Sequence, residues 1–304
     1  MSVRFTILAS GSEGNCAALQ LDASTVFIDI GLKPRVLDPR LAAANISRPG
    51  LRAVLLSHTH GDHINNLSLE RLAADRVPVY CHAEHTRRLL NGCRPFIHLY
   101  HLGLVRHFTS QTPLQLLPAL SVLPIPVPHD SDPTFAFRFD GTPDLFGPTW
   151  RIGFASDLGS WSDELVAAFA EVDILAIEFN HDVQLQRSSS RTSYLIERVL
   201  SDRGHLSNDQ AADYLRALLP INRRLRHLVQ LHLSRECNRP ELAQATARAV
   251  LEQVPAAQTV QVHTTEKDTV GPSLLLDWAG KRQTRQQVPR DEPCSPQKKS
   301  DQTA

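Results

Sequence analysis

Long apolar runs are missing from this sequence. No stretch approaches the roughly 18 apolar residues of a membrane span, and the opening MSVRFTILASGS is too short an apolar run for a signal peptide. Paired cysteines are missing too. The five present (Cys16, Cys81, Cys93, Cys237 and Cys294) are odd in number and contain no CxxC pair. That excludes a disulfide framework and a zinc knuckle, and it suits a reducing cytoplasm. Neither sign of charge is in excess, because Lys+Arg and Asp+Glu stand at 32 each; net charge therefore gives no hint of a polyanionic partner. No internal repeat is visible. What is there in quantity is histidine, with 14 residues, several in tight groups. The 304 residues, 42% apolar, suffice for one large layered domain or two small ones.

Short β-branched runs bounded by Gly, Asn or Asp at 4–9, 17–21 and 25–30 read as strands. The run LRAVLLS at 51–57 is apolar throughout and of strand length, the pattern of a strand covered on both faces. Helical spacing follows at 67–75 and 83–90, around a short strand at 78–81. A second group of strands falls at 114–117, 120–127 and 135–140, and further strands at 151–155 and 172–179. Between the last two, Ser162 opens a helix whose Asp163 and Glu164 suit a first turn. Residues 208–219 make an amphipathic helix stopped by Pro220, 225–231 a strand, and 240–253 a helix with Pro240 in its first turn. Runs at 259–262 and 273–278 read as closing strands. The economical architecture for this order is α/β, a four-layer αββα sandwich of two mixed sheets flanked by helices, occupying residues 1–279. Residues 280–304 are polar and nearly free of large apolar side chains, so they read as a disordered tail.

Directly after the apolar run at 51–56 comes Ser57-His58-Thr59-His60-Gly61-Asp62-His63. Three imidazoles and a carboxylate within six residues are ligands suited to Zn²⁺, Mn²⁺ or Fe. On a loop leaving a strand, His58 and His60 can turn one way and Asp62 and His63 another, so that one loop feeds two metals. Other strand-like runs end in Pro128-His129-Asp130, in Ser156-Asp157-Leu158-Gly159 and in His232-Leu233-Ser234. His205 stands at the mouth of a helix. These are the polar groups expected along the C-terminal edge of two facing sheets.

The pattern HxHxDH followed by His, Asp and His resembles the metallo-β-lactamase superfamily. The segments ASGSEGNC (9–16), VPHD (127–130), ASDLG (155–159), EFNHD (178–182), SDRGHLSN (201–208) and LHLS (231–234) resemble its YycJ-like branch. The resemblance implies the αββα sandwich and two divalent ions. By position it assigns His58, His60 and His129 to one ion and Asp62, His63 and His232 to the other, with Asp157 bridging. It places Asp29 behind a ligand, orienting it, which fits the need of a metal-bound imidazole for a partner on its other nitrogen. It gives His205 the role of contacting the scissile phosphate or protonating the leaving group. The implied chemistry is phosphodiester hydrolysis of DNA or RNA by a hydroxide shared between two metals, with Asp62 holding the nucleophile. The roughly 75 residues between Asp157 and His232 are too few for the inserted cap of the β-CASP nucleases. A small-molecule hydrolase of a cyclic nucleotide, thioester or lactone would use the same core. A non-catalytic protein that keeps its metals for stability is the third reading, against which the presence of all seven ligands argues.

Other groups carry weaker expectations. Ser10, Ser12 and Asn15, with Gly11 and Gly14, form either a phosphate-cradling loop or a plain turn. His82, His85, His98, His101 and His107 lack a complete ligand set and read as surface or partly packed. Arg187, Arg191, Arg223, Arg224 and Arg226 read as solvated charges, with a basic rim as the sharper alternative.

Overall fold

Apolar runs covered on both sides supply the centre of each sheet, and their C-terminal ends supply the site. The computed structural model describes residues 2–131, 133–144, 147–266 and 268–277. Strands β1 (Ser2–Ala9), β2 (Cys16–Leu21), β3 (Ser24–Ile28), β4 (Leu51–Leu55), β5 (Val79–His82) and β6 (Val105–Phe108) lie side by side in chain order. Then come β7 (Leu114–Leu117), β8 (Leu120–Val127) and β9 (Thr134–Gly141), and a short ribbon of β10 (Pro143–Asp144) and β11 (Gly147–Pro148). The last strands are β12 (Arg151–Ala155), β13 (Ile174–Glu178), β14 (His227–Leu231), β15 (Gln261–Thr264) and β16 (Ser273–Asp277). The first sheet runs β16-β1-β2-β3-β4-β5-β6 and the second β15-β14-β13-β12-β9-β8-β7.

Both sheets have one plan. An antiparallel meander, β1 to β3, leads into the parallel strands β3 to β6. Likewise β7, β8, β9 and β12 alternate before β12 to β15 run parallel. The C-terminal ends of β3, β4, β8, β12, β13 and β14 consequently meet along one edge, the usual place for a site in parallel α/β sheets.

The helices are α1 (Pro34–Ala43), α2 (Asn66–Ala74), α3 (Ala83–Leu90), α4 (Arg94–His101), α5 (Asp163–Ala168), α6 (Val183–Arg187), α7 (Ser193–Leu200), α8 (Asn208–Leu218) and α9 (Pro240–Leu251). Helices α1 to α4 bury Leu37, Leu69, Leu72 and Phe96 against the outer face of the first sheet. Helices α5, α8 and α9 bury Leu165, Tyr214, Leu215 and Val250 against the second. Between the sheets lies the apolar layer of Phe5, Leu19, Val26, Phe137, Ile152 and Leu231. Phe5 and Phe154 meet there edge to face, ring centres 6.4 Å apart. The expected αββα order is therefore present.

Several elements were not foreseen. Helix α1 contains Pro39, a residue that reads as a breaker, yet the chain around it stays helical. Strand β6 and helices α4, α6 and α7 were also unread. Where a strand was expected at 273–278, β16 ends at Asp277; the tail expected at 280–304 lies outside the described residues.

Candidate metal centre

The HTHGDH loop is fixed by the strand beside it. The strand β4 ends at Leu55, and Ser57 then donates its N–H to Asp29 Oδ1 at 2.8 Å and its hydroxyl to Oδ2 at 2.8 Å. Asp29 leaves β3 at φ 60°, a left-handed conformation that is unusual for a residue with a side chain. It turns the carboxylate across the strand end, where Oδ2 accepts from His63 Nδ1 at 2.7 Å. His63 Nε2 then faces Asp157 Oδ2 at 3.1 Å and Asp62 Oδ2 at 3.7 Å.

The first cluster is built from His58, His60 and His129, whose ligand atoms lie within 4.8 Å of one another. His58 Nε2 and His60 Nδ1 face each other at 3.2 Å. Burial, and then the neighbouring imidazoles, hold His58 well below the usual histidine range and also lower His60. Neutral rings present lone pairs, and lone pairs aimed at one point call for a cation. His129 donates Nδ1–H to the carbonyl of Gly204 at 2.9 Å, leaving a buried Nε2 with no hydrogen-bond partner. A Cβ on Gly204 would lie 2.2 Å from the Arg198 carbonyl oxygen, so only glycine lets this backbone come so close.

The second cluster centres on His232, also left-handed at φ 55°. Its N–H donates to Ser10 Oγ at 2.8 Å, and its Nδ1 meets Glu178 Oε1 at 2.9 Å. Its buried Nε2 has no hydrogen-bond partner and lies 3.8 Å from Asp62 Oδ2. Asp157 stands between the clusters, with Oδ1 3.3 Å from His232 Nδ1. Burial would raise the Asp157 carboxyl, but His232 and His63 outweigh it and hold it well below the usual range. Burial likewise opposes a proton on His63 and His232. The carboxylates around them prevail, holding His63 well above the usual range and His232 up at about 10. The negative field that favours those protons favours divalent cations on the same lone pairs. On donor type, orphaned nitrogens and charge, the residues present fit metal ions.

All nine residues singled out from the sequence converge here: Asp29, His58, His60, Asp62, His63, His129, Asp157, His205 and His232. Gly159, beside Asp157, permits a close backbone approach, since a Cβ there would sit 2.4 Å from the Asp202 carbonyl oxygen. Glu178, at the end of β13, enters the sequence reading only within the EFNHD segment, with no role given to it. It is fully buried; Oε1 accepts from His205 Nδ1 at 2.7 Å and from His232 Nδ1, while Oε2 accepts from the N–H groups of Leu158 and Leu206 at 3.0 and 3.1 Å. Burial would raise its carboxyl, and the His205 and His232 imidazoles pull it below the usual range instead. The available signal was its position as the acid that ends a central strand, the counterpart of Asp29 in the other sheet.

The small-residue loop at 10–15 is neither a bare turn nor remote. Asn15 accepts from Gly11 N–H at 2.8 Å and extends its amide to Asp62 Oδ2 at 3.2 Å and His63 Nε2 at 2.9 Å. The five arginines do not form one rim. Arg224 and Arg226 precede β14 at the opposite edge, both paired with Asp173, whereas Arg191 lines a cavity of about 420 Å³ that opens on His205 and His232. His85 is fully buried rather than at the surface, bonded through Nε2 to the Pro133 carbonyl at 2.8 Å. Among the described residues, no helix is long and apolar enough to cross a membrane.

A sandwich of two mixed sheets with histidines and aspartates gathered at one strand edge defines a hydrolase-type metal fold, and the comparisons specify which. Residues 21–233 match the Beta-lactamase superfamily domain, and the chain belongs to that superfamily. It is 28% identical over 276 residues to the exodeoxyribonuclease WalJ of Streptococcus pneumoniae, covering 88% of this chain and 96% of that one. To the exodeoxyribonuclease YycJ of Bacillus anthracis it is 26% identical over 274 residues, with the same shares covered. The fold matches the crystal structure of the metallo-β-lactamase fold protein YhfI from Bacillus subtilis, with a TM-score of 0.63 at 16% identity over 90% of this chain and all of that one.

Proposed function

We propose that the protein is a metal-dependent phosphodiesterase that cleaves nucleic acid, DNA first among the candidates, from a chain end. The observation that carries this reading is His205. Its Nδ1 is held by Glu178 at 2.7 Å, in the wall of the cavity beside both clusters. A histidine tied at Nδ1 to a buried carboxylate has a fixed orientation, leaving Nε2 to face the leaving oxygen. A departing alkoxide needs a proton more than a thiolate does. The relatives named exodeoxyribonuclease, aligned over nearly their whole length, support the same substrate class.

In this reading His58 Nε2, His60 Nδ1 and His129 Nε2 would hold one ion, and Asp62, His63 Nε2 and His232 Nε2 a second, with Asp157 available to both. Zn²⁺ and Mn²⁺ suit the donors best, and Fe fits them as well. When bound, such ions would supply Lewis acidity at a phosphoryl oxygen and acidify a water. The chain's own groups do the rest. Asp29 and Glu178 fix His63 and His232 from behind, as ligand imidazoles require. Asp62, facing the Nε2 atoms of both rings, takes the proton of the attacking water. His205 returns one to the leaving oxygen. Glu178 ties the two ends of this relay, because a single oxygen orients both His205 and His232. The catalytic unit spans residues 1–279. The described cysteines are free thiols, which agrees with a cytoplasmic setting. A small phosphodiester such as a cyclic nucleotide is the second reading, favoured by a cavity of small-ligand size.

The test is cleavage by Mn²⁺- or Zn²⁺-loaded protein of labelled single- and double-stranded DNA and RNA, alongside bis-p-nitrophenyl phosphate and a thioester. Oligonucleotide cleavage is expected, and His205→Ala should lower it ~10²–10⁴-fold. The p-nitrophenyl ester, whose phenolate leaves unaided, should lose much less. Turnover of the thioester alone would sink the reading, and fewer than two ions per chain at saturation would sink the binuclear assignment.

A further inference from the structure

Helix α7 is poorly covered for its composition. Of the eight residues in SYLIERVL only Val199 is buried, and Tyr194 is 77% exposed, the most exposed large apolar side chain among the described residues. Among those residues no aromatic ring packs on it. Yet this helix borders the site. Leu195, Arg198 and Val199 line the cavity that opens on His205 and His232, and the Val199 carbonyl accepts the His205 N–H at 3.0 Å. Arg198 reaches across to Asp130, next to His129, and Arg191 lies at the same mouth, bonded to Glu236 at 2.9 Å. Tyr194 and Arg198 are one turn apart on one face of the helix.

We propose that Tyr194 is a stacking platform for a base of a single-stranded substrate, whose backbone passes Arg198 on its way to the metal centre. The proposal rests on the phosphodiesterase reading above. Charge explains why an aromatic is needed. The chain has no net charge, and both arginines at the mouth already face carboxylates, so release of counterions contributes little grip. Base stacking on an exposed aromatic supplies affinity without net charge and without regard to sequence. The distance also fits. Val199, on the cavity wall, is five residue steps beyond Tyr194, about 7.5 Å of helix axis, or about two nucleotide steps of stacked strand. The base held would be about two nucleotides from the scissile phosphate. A second copy of the chain is the bland occupant of an apolar patch, but one projecting tyrosine between two arginines suits a nucleotide strand better than an apolar dimer interface.

The experiment uses the Mn²⁺-loaded full chain and a single-stranded deoxyoligonucleotide, with one abasic site moved inward from the cleaved end. Tyr194→Ala should raise KM roughly 5- to 150-fold, the range for loss of one stacked base, with kcat changed much less. Tyr194→Phe should restore KM, because the ring and not the hydroxyl does the stacking. With wild-type protein one abasic position, about the second, should raise KM by a similar factor, and at that position Tyr194→Ala should add nothing. Equal loss by Tyr194→Ala on intact and abasic strands would mark a merely structural role and overturn the proposal. So would an unchanged KM, or a KM that falls on dilution because a dimer dissociates. If wild-type protein cleaves bis-p-nitrophenyl phosphate but no oligonucleotide, the nucleic-acid reading falls and the stacking role falls with it; active wild type without abasic sensitivity overturns Tyr194 alone.

Discussion

Glu178→Gln is the most informative single change. The substitution keeps shape and volume but turns one carboxylate oxygen into an NH₂ group. In the native arrangement Oε1 accepts from two imidazole Nδ1 atoms and Oε2 from two backbone N–H groups, all between 2.7 and 3.1 Å. No flip of the amide can serve both pairs. If the NH₂ replaces Oε1, it faces His205 and His232; if it replaces Oε2, the N–H groups of Leu158 and Leu206 lose their acceptor. Each buried donor left unpaired costs ~1–3 kcal/mol, so two cost ~2–6 kcal/mol. At ~2–4 °C per kcal/mol for a chain near this size, the melting temperature should fall by ~4–24 °C. Function should suffer separately. An amide NH₂ cannot accept from His205 Nδ1, and a misoriented His232 should lose ~10–100-fold in metal affinity, the usual effect of removing a ligand's outer partner. Three measurements bear on this: calorimetric melting, metal content under a competing chelator, and cleavage rates for esters with good and poor leaving groups. The loss should be greatest for the poor leaving group. A variant with wild-type melting and unchanged dependence on the leaving group would refute the assignment of Glu178 as the residue that positions both histidines.

Two other predictions follow from burial alone. Gly204→Ala should drive the 204 carbonyl away from His129, because its Cβ would overlap the Arg198 and Val199 carbonyl oxygens at 2.2 and 2.3 Å; metal affinity should drop ~10–100-fold, read by competition with a chelator. His85 is lowered to about 4, by burial and then, against the Pro133 hydrogen bond, by His82. The unfolded chain takes up a proton from pH ~6.5 downward that the folded chain refuses until about 4. Stability should thus fall on acidification through that window, by ~3 kcal/mol from this residue, and level off below it. His85→Gln, which keeps a donor for Pro133 without titrating, should flatten urea-unfolding stability across that pH range; a slope equal to wild type would refute the assignment.

The parts of the site visible in the sequence are those whose chemistry is local. His58 to His63 carry two half-sites on one loop, and His129, Asp157 and His232 each follow an apolar run, so strand ends could be marked without knowing the pairing. Glu178 also ends an apolar run, but nothing near it in the chain says what it holds. Its partners lie 20, 27, 28 and 54 residues away, and its importance arises only when β13 is set between β12 and β14. Asn15 was read as part of a phosphate-cradling loop or a plain turn for the same reason, since its partners Asp62 and His63 are supplied by the loop after β4. For the arginines, read as solvated charges with a basic rim as the alternative, it is the rim that falls: the direction of β14 sends Arg224 and Arg226 to the edge opposite Arg191. Proline explains α1, because the prior against an internal proline concerns an isolated helix and Leu37 and Leu41 are both packed under the sheet. The αββα order survived these errors because it depends on which runs are apolar and how long they are.

Division of the metal residues between two sheets has a consequence for the chain as it is made. His58 and His232 are 174 positions apart, and at ~5–20 residues per second a ribosome needs ~9–35 s to go from one to the other. Over that interval Asp157, Glu178 and His205 are added in turn, and the loop waits longest for His232, which comes last with β14. Hydrolytic competence therefore arrives late and all at once, when β14 docks beside β13 and brings His232 to the edge.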